Sequence, residues 1–193
     1  MDIEKEVLDA AKEFCNKYIM PFEEEIELKG EKVEEIFREL GNHGFIAVPF
    51  PKEFGGLGLP FYLYARTAEV LSYASGTMAG VLGAHSLSTF SILLGGTKEQ
   101  KEKYLPKMIR GELIGSFALT EQNAGSNPAD IRTEAKKEGD FYILNGTKVF
   151  TTNAGLSDVY VVMAKTDKDR GARGISAFIV EKGDKGFSVG RQE

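Results

Sequence analysis

At 193 residues the chain is long enough to bury a real core in one or two domains. Its 24 basic and 29 acidic side chains leave a net charge of −5 and are dispersed, which argues against a nucleic-acid-binding patch or a basic membrane-binding surface. Its one cysteine, Cys15, has no disulfide partner within the chain; on an apolar helical stripe it reads as a buried free thiol of a reducing compartment, the cytoplasm.

The first ten residues, MDIEKEVLDA, are acidic and amphipathic, unlike a secretory signal or an Arg-rich transit peptide, so no targeting segment is expected. Apolar residues then recur at helical spacing: Ile3, Val7, Ala10, Phe14 and Tyr18; Val33, Ile36, Phe37 and Leu40; Tyr64, Ala68 and Leu71. Met78 to Leu94 is apolar nearly all round but shorter than about 20 residues, and it carries His85, Ser86, Ser88, Thr89 and Ser91. It is predicted to be a buried core helix rather than a membrane span. Thr97 and Gln100 have the spacing of a capping box that opens a further helix, and Pro106 is predicted to end or kink it.

After Gly111 the pattern changes to short alternating segments. Strands are predicted over 115–119, 132–136, 140–144, 147–152, 159–164, 175–180 and 187–189, with Asn145-Gly146 as a two-residue hairpin turn between two of them. The chain therefore reads as α+β. An amino-terminal all-α domain covers 1–114, and a β-domain covers 115–193, joined tightly near residue 115 without a low-complexity linker.

The stretch Phe117 to Asp130, FALTEQNAGSNPAD, runs from a strand into a loop of small residues. Thr120 offers a hydroxyl, and Ala124-Gly125-Ser126 offers backbone N–H groups with little side chain in the way, the chemistry of a phosphate cradle. By pattern alone the same residues also suit an ordinary surface turn. Gly55-Gly56-Leu57-Gly58 does not make a G-x-G-x-x-G fingerprint and lies in no parallel βαβ unit, which disfavours a nicotinamide enzyme. His43 and His85 lack companions at ligand spacing, so no metal site is expected.

Phe117–Asp130 resembles the first signature of the acyl-CoA dehydrogenase family, a strand ending in Thr-Glu followed by a small-residue loop. Asp140 to Gly155, DFYILNGTKVFTTNAG, resembles the family's next block, whose hairpin brings an aromatic-x-Thr triplet to the flavin ring. The similarity extends through Phe54–Gly58, Gly96–Lys101, Gly174–Phe178 and Val189-Gly190, and so over essentially the whole chain. The resemblance implies an amino-terminal helical bundle followed by an antiparallel, barrel-like middle domain, incomplete here, and a second helical domain beyond it. That last domain would carry the catalytic carboxylate and most oligomer contacts, and the flavin would lie between it and the middle domain. No catalytic base is therefore expected among these residues, and the chain alone is expected to be inactive.

Carried over by position, the resemblance places Phe117 at the border of the flavin and Leu119 in backbone contact with the ring. Thr120 would bond its pyrimidine side, Gly125 and Ser126 would meet the pyrophosphate, and Ser126 would also touch the acyl-CoA. Phe150 stands where a Trp is frequent and would pack on the ring, with Thr151 and Thr152 near the hydride-accepting nitrogen. Glu121 reads as structural. The implied cofactor is FAD, and the implied activity is α,β-dehydrogenation of an acyl-CoA to a trans-2-enoyl-CoA in fatty-acid β-oxidation. The implied partners are an electron-transfer flavoprotein and copies of the same chain in a homotetramer. A separately encoded flavin-binding subunit, or a non-catalytic scaffold of the same fold, are the alternatives. Asn127 departs from the family pattern at a position usually held by Asp, with Asp130 expected to cap the loop instead.

Overall fold

The computed structural model describes residues 2–191. The chain divides into two compact units, Met1–Ile114 and Gly115–Glu193. The first is helical: α1 (Ile3–Phe14), α2 (Glu23–Glu27), α3 (Val33–Asn42), α4 (Phe61–Ala74), α5 (Gly76–Gly95) and α6 (Lys98–Ile109). The stripe expected to run to Tyr18 forms α1 and then a π turn over Cys15–Ile19, which buries Cys15 and Ile19.

α5 is the central helix, packed against α4, α6, α3 and α2. Met78, Leu82, His85, Ser88 and Thr89 are all buried along it. By length and composition alone α5 could cross a membrane. Three of its buried polar residues, however, are matched by protein: Ser88 and Thr89 donate to the His85 carbonyl (2.7 and 2.8 Å), and the His85 ring donates from Nε2 to the Met108 carbonyl (3.1 Å). The Glu27 carboxylate accepts from the Ser75 and Thr77 hydroxyls (2.5 and 2.7 Å), tying down the start of α5. Thr97 and Gln100 form the expected capping box of α6. Pro106 neither ends nor breaks that helix, which continues to Ile109.

The second unit is built on β1 (Gly115–Ala118), β2 (Glu134–Glu138), β3 (Phe141–Asn145), β4 (Val159–Lys165) and β5 (Ile175–Glu181). The sheet is mixed and open rather than an antiparallel barrel. β4 pairs parallel with β1 along Gly115–Ala118, parallel with β2 at Glu134, and antiparallel with β5. β2 and β3 form the hairpin. Its turn is Gly139-Asp140, where Gly139 takes a φ of +63° that its missing Cβ allows, and not Asn145-Gly146, which leads out of β3.

The predicted strand 147–152 is a loop, because Phe150 and Asn153 both take positive φ (+53° and +69°) and interrupt the pleat. The predicted strand 187–189 is also irregular. It attaches through the Phe187 ring, 4.6 Å from that of Tyr160, rather than through a ladder.

Candidate functional site

β1 and the loop 146–157 form one structure. Val149 N–H donates to the Thr120 carbonyl (2.9 Å), the Lys148 ammonium donates to the Leu119 carbonyl (3.0 Å), and the Ser116 hydroxyl donates to the Thr152 carbonyl (2.6 Å). Asn153 Nδ2 donates to the Gly115 carbonyl (3.1 Å). These bonds run along β1 and its extension, so Phe117, Leu119 and Thr120 lie beside Phe150, Thr151 and Thr152. The two blocks singled out in the sequence meet in space through side-chain bonds that join residues 29 to 38 positions apart.

The aromatic of the triplet is displayed. Phe150 is 79% exposed, and its left-handed backbone is costly for a bulky residue. A large apolar ring held out of the core by a strained backbone is a sign of a surface kept for a ligand. Beside it, the Thr151 hydroxyl is buried and has no hydrogen-bond partner among the described residues. Phe117, Leu119 and Thr120 are each half-buried.

Gly125 and Ser126 stand apart from these six, on an exposed turn beyond the short Glu121–Ala124 bridge. Space around the Gly125 Cα is open, and among the described residues nothing accepts from the amides of Gly125 and Ser126. The turn is closed by Asn127: its Oδ1 accepts from Ala129 N–H (3.3 Å) and its Nδ2 donates to Asp130 (2.8 Å). Asn127 thus does the capping expected of Asp130 and keeps Asp130 close through a hydrogen bond, with no need for a carboxylate of its own.

The strongest electrostatic feature was not singled out for a site role by sequence reasoning. Glu121, 6% exposed, accepts from Lys148 Nζ (2.7 Å), from the Thr133 hydroxyl (2.5 Å), and from the N–H groups of Arg132 (2.5 Å) and Thr133 (2.9 Å). Burial works to raise its pKa. The bonds from Lys148, Thr133 and the two amides outweigh that and hold it down at about 2. For Lys148 burial wins, and its pKa lies below the ordinary lysine value despite Glu121. The available signal was a Lys in an otherwise apolar, Thr-rich run, 27 residues after a Glu at a strand end. Among the described residues no group of His, Cys, Asp and Glu could hold a metal ion.

In class, this is a helical domain followed along the chain by a mixed-sheet domain with a displayed aromatic loop against its first strand. The profile "Acyl-CoA dehydrogenase, N-terminal domain" matches residues 1–112 and "Acyl-CoA dehydrogenase, middle domain" matches 116–193. The chain therefore belongs to the acyl-CoA dehydrogenase family. It is 43% identical, over 97% of its length and 50% of the relative's, to a short-chain-specific acyl-CoA dehydrogenase of Clostridium acetobutylicum. It is 44% identical, over 95% of its length and 49% of the relative's, to a 3-(aryl)acrylate reductase of Clostridium sporogenes.

Among solved structures, a chain in one described as an electron transferring flavoprotein of Acidaminococcus fermentans superposes with a TM-score of 0.96 at 39% identity, covering all of this chain and 51% of that one. A glutaryl-CoA dehydrogenase of Mycobacterium smegmatis in complex with FADH2 gives 0.87 at 33% identity, over 97% of this chain and 47% of that one. The chain thus spans about half the length of the relatives it matches.

Proposed function

We propose that the chain is the amino-terminal part of an FAD-dependent acyl-CoA dehydrogenase, with an all-α domain over 1–114 and a middle β-domain over 115–193. The observation that carries this is the seam between Thr120 and Val149, which sets a displayed aromatic and two threonines beside the end of β1. The residues suit the cofactor: an exposed aromatic face for a flat ring, hydroxyls at Thr120 and Thr152, and unclaimed amides on an open turn for a pyrophosphate.

Phe117, Leu119, Thr120, Phe150, Thr151 and Thr152 would line the ring, and Gly125 and Ser126 would take the pyrophosphate, with Ser126 also reaching the acyl-CoA. When bound, FAD supplies the redox chemistry, accepting a hydride from the β-carbon of the thioester. Thr120 and Thr152 donate hydrogen bonds where negative charge accumulates, and Phe150 shields that face from water. The α-proton goes to a carboxylate outside these residues, since the buried carboxylate of Glu121 is committed to four donors. On this reading the product is a trans-2-enoyl-CoA of fatty-acid β-oxidation. Electrons pass to an electron-transfer flavoprotein, the whole protein is a cytoplasmic homotetramer, and this chain alone does not turn over.

The test is an FAD titration of the chain, following flavin fluorescence and the visible band before and after a short acyl-CoA is added. Saturable binding without bleaching is expected. Bleaching would place a base within these residues and overturn the assignment of inactivity, and absence of binding would mean that the second helical domain is needed to close the flavin site.

A further inference from the structure

We infer that Glu121 and Lys148 are positioning residues, an internal brace that sets the Phe150–Thr152 triplet against the end of β1; the inference rests on the flavin reading above for its functional meaning. The Glu121 carboxylate joins three separate segments. It leaves the chain one residue after Thr120, accepts from Arg132 and Thr133 just ahead of β2, and takes the Lys148 ammonium two residues before Phe150. Lys148 returns the connection by donating to the Leu119 carbonyl. Two of these segments also close where Gly146 packs on Thr133, so tightly that a Cβ at Gly146 would strike the Thr133 hydroxyl.

Neither member has another role that accounts for it. The side chains of Lys148 and Glu121 are 9% and 5% exposed, too buried for contact with a ligand. A buried ion pair is a poor way to gain stability, since similar-sized apolar residues could fill the space at little cost. Fixing a geometry is its better-attested use, and here the geometry needs fixing: Phe150 holds a strained φ that no burial of its own ring enforces. Without Lys148, the backbone seam at Val149, the bonds from Ser116 and Asn153 and the packing of Gly146 on Thr133 would remain, but no side chain would tie the residues just ahead of Phe150 to Leu119 and Glu121.

The chain contains no tryptophan, so Phe150→Trp provides a single indole fluorophore at the position to be located. In that background Glu121→Gln, Lys148→Met and Lys148→Arg are compared at a temperature where circular dichroism shows each folded. Without FAD, Glu121→Gln and Lys148→Met are expected to lower the anisotropy of the introduced indole and ease its quenching by iodide, while Lys148→Arg, which keeps the charge and the donors, restores both. With FAD, affinity is expected to fall about tenfold in the first two variants, the size of loss typical when a group that orients a contact residue is removed. Unchanged anisotropy and quenching in both folded variants overturn the inference. If either fails to fold, Thr133→Val, which deletes one donor to Glu121, is read in its place by the same criterion. Failure of every protein, including the Phe150→Trp parent, to bind FAD would count against the flavin reading alone, because the anisotropy needs no cofactor.

Discussion

Two buried titratable residues give the chain an acid sensitivity with separable windows. His85 is fully enclosed, and burial, only partly opposed by its bond to the Met108 carbonyl, lowers its pKa to about 4. Between its ordinary value of 6.5 and that point the unfolded chain binds a proton that the folded chain does not, so stability is full above about 6.5 and is lost as pH falls towards 4. Glu121, held at about 2, contributes stability that is full above its ordinary 4.5 and is lost as pH falls towards 2. Each amounts to on the order of 3 kcal/mol. In urea unfolding followed against pH, His85→Leu is expected to flatten the upper window and leave the lower, and Glu121→Gln the reverse. Phe150 makes a different prediction. Phe150→Gly relieves the positive φ and, after the extra unfolded-state entropy of glycine, should raise stability by about 0.5–1 kcal/mol. It should also weaken FAD binding. A rise in melting temperature together with tighter binding would contradict the role given to that ring.

At the level of elements, close approach of backbones explains what single side chains do not. Gly41, near the end of α3, lies where an added Cβ would meet the Arg110 carbonyl carbon at 2.7 Å and the Gly111 Cα at 3.0 Å, both main-chain atoms that cannot swing aside. Gly41→Ala is therefore expected to cost about 2 kcal/mol or more in thermal or chemical unfolding, and an unchanged midpoint would refute that packing. The helices were legible because their apolar spacing and the Thr97–Gln100 box are local signals that burial reinforces. Pro106 does not end α6, because the helix goes on to bury Met108 and Ile109, a gain that offsets the missing hydrogen bond. Asn145-Gly146 is a parallel case. Its dipeptide favours a tight turn, but the chain beyond it becomes the loop anchored on Lys148, and a less conspicuous Gly139-Asp140 turns the hairpin.

Across the whole molecule, the division into a helical and a β unit was readable from the change in hydrophobic period at Gly111, whereas the order of strands was not. β1 and β4 are more than 40 residues apart in the chain and pair in parallel, a non-local contact for which alternation carries no signal. The two sequence blocks stood out through resemblance, whereas their physical seam and the ion pair behind them emerge only in the fold. The open edge of β3 carries Phe141, Tyr142 and Ile143, 74%, 43% and 45% exposed. Such an edge invites pairing with another chain, so concentration-dependent association is expected in sedimentation velocity, with Ile143→Lys suppressing it. Association that survives this substitution would place the contact elsewhere. Cys15, the chain's one thiol, lies buried in the helical unit, and burial pushes its pKa up to about 11. It is thus a slow clock for one half of the molecule: alkylation at neutral pH must await an opening of the helices, and the rate of that reaction times their breathing while leaving the β unit silent.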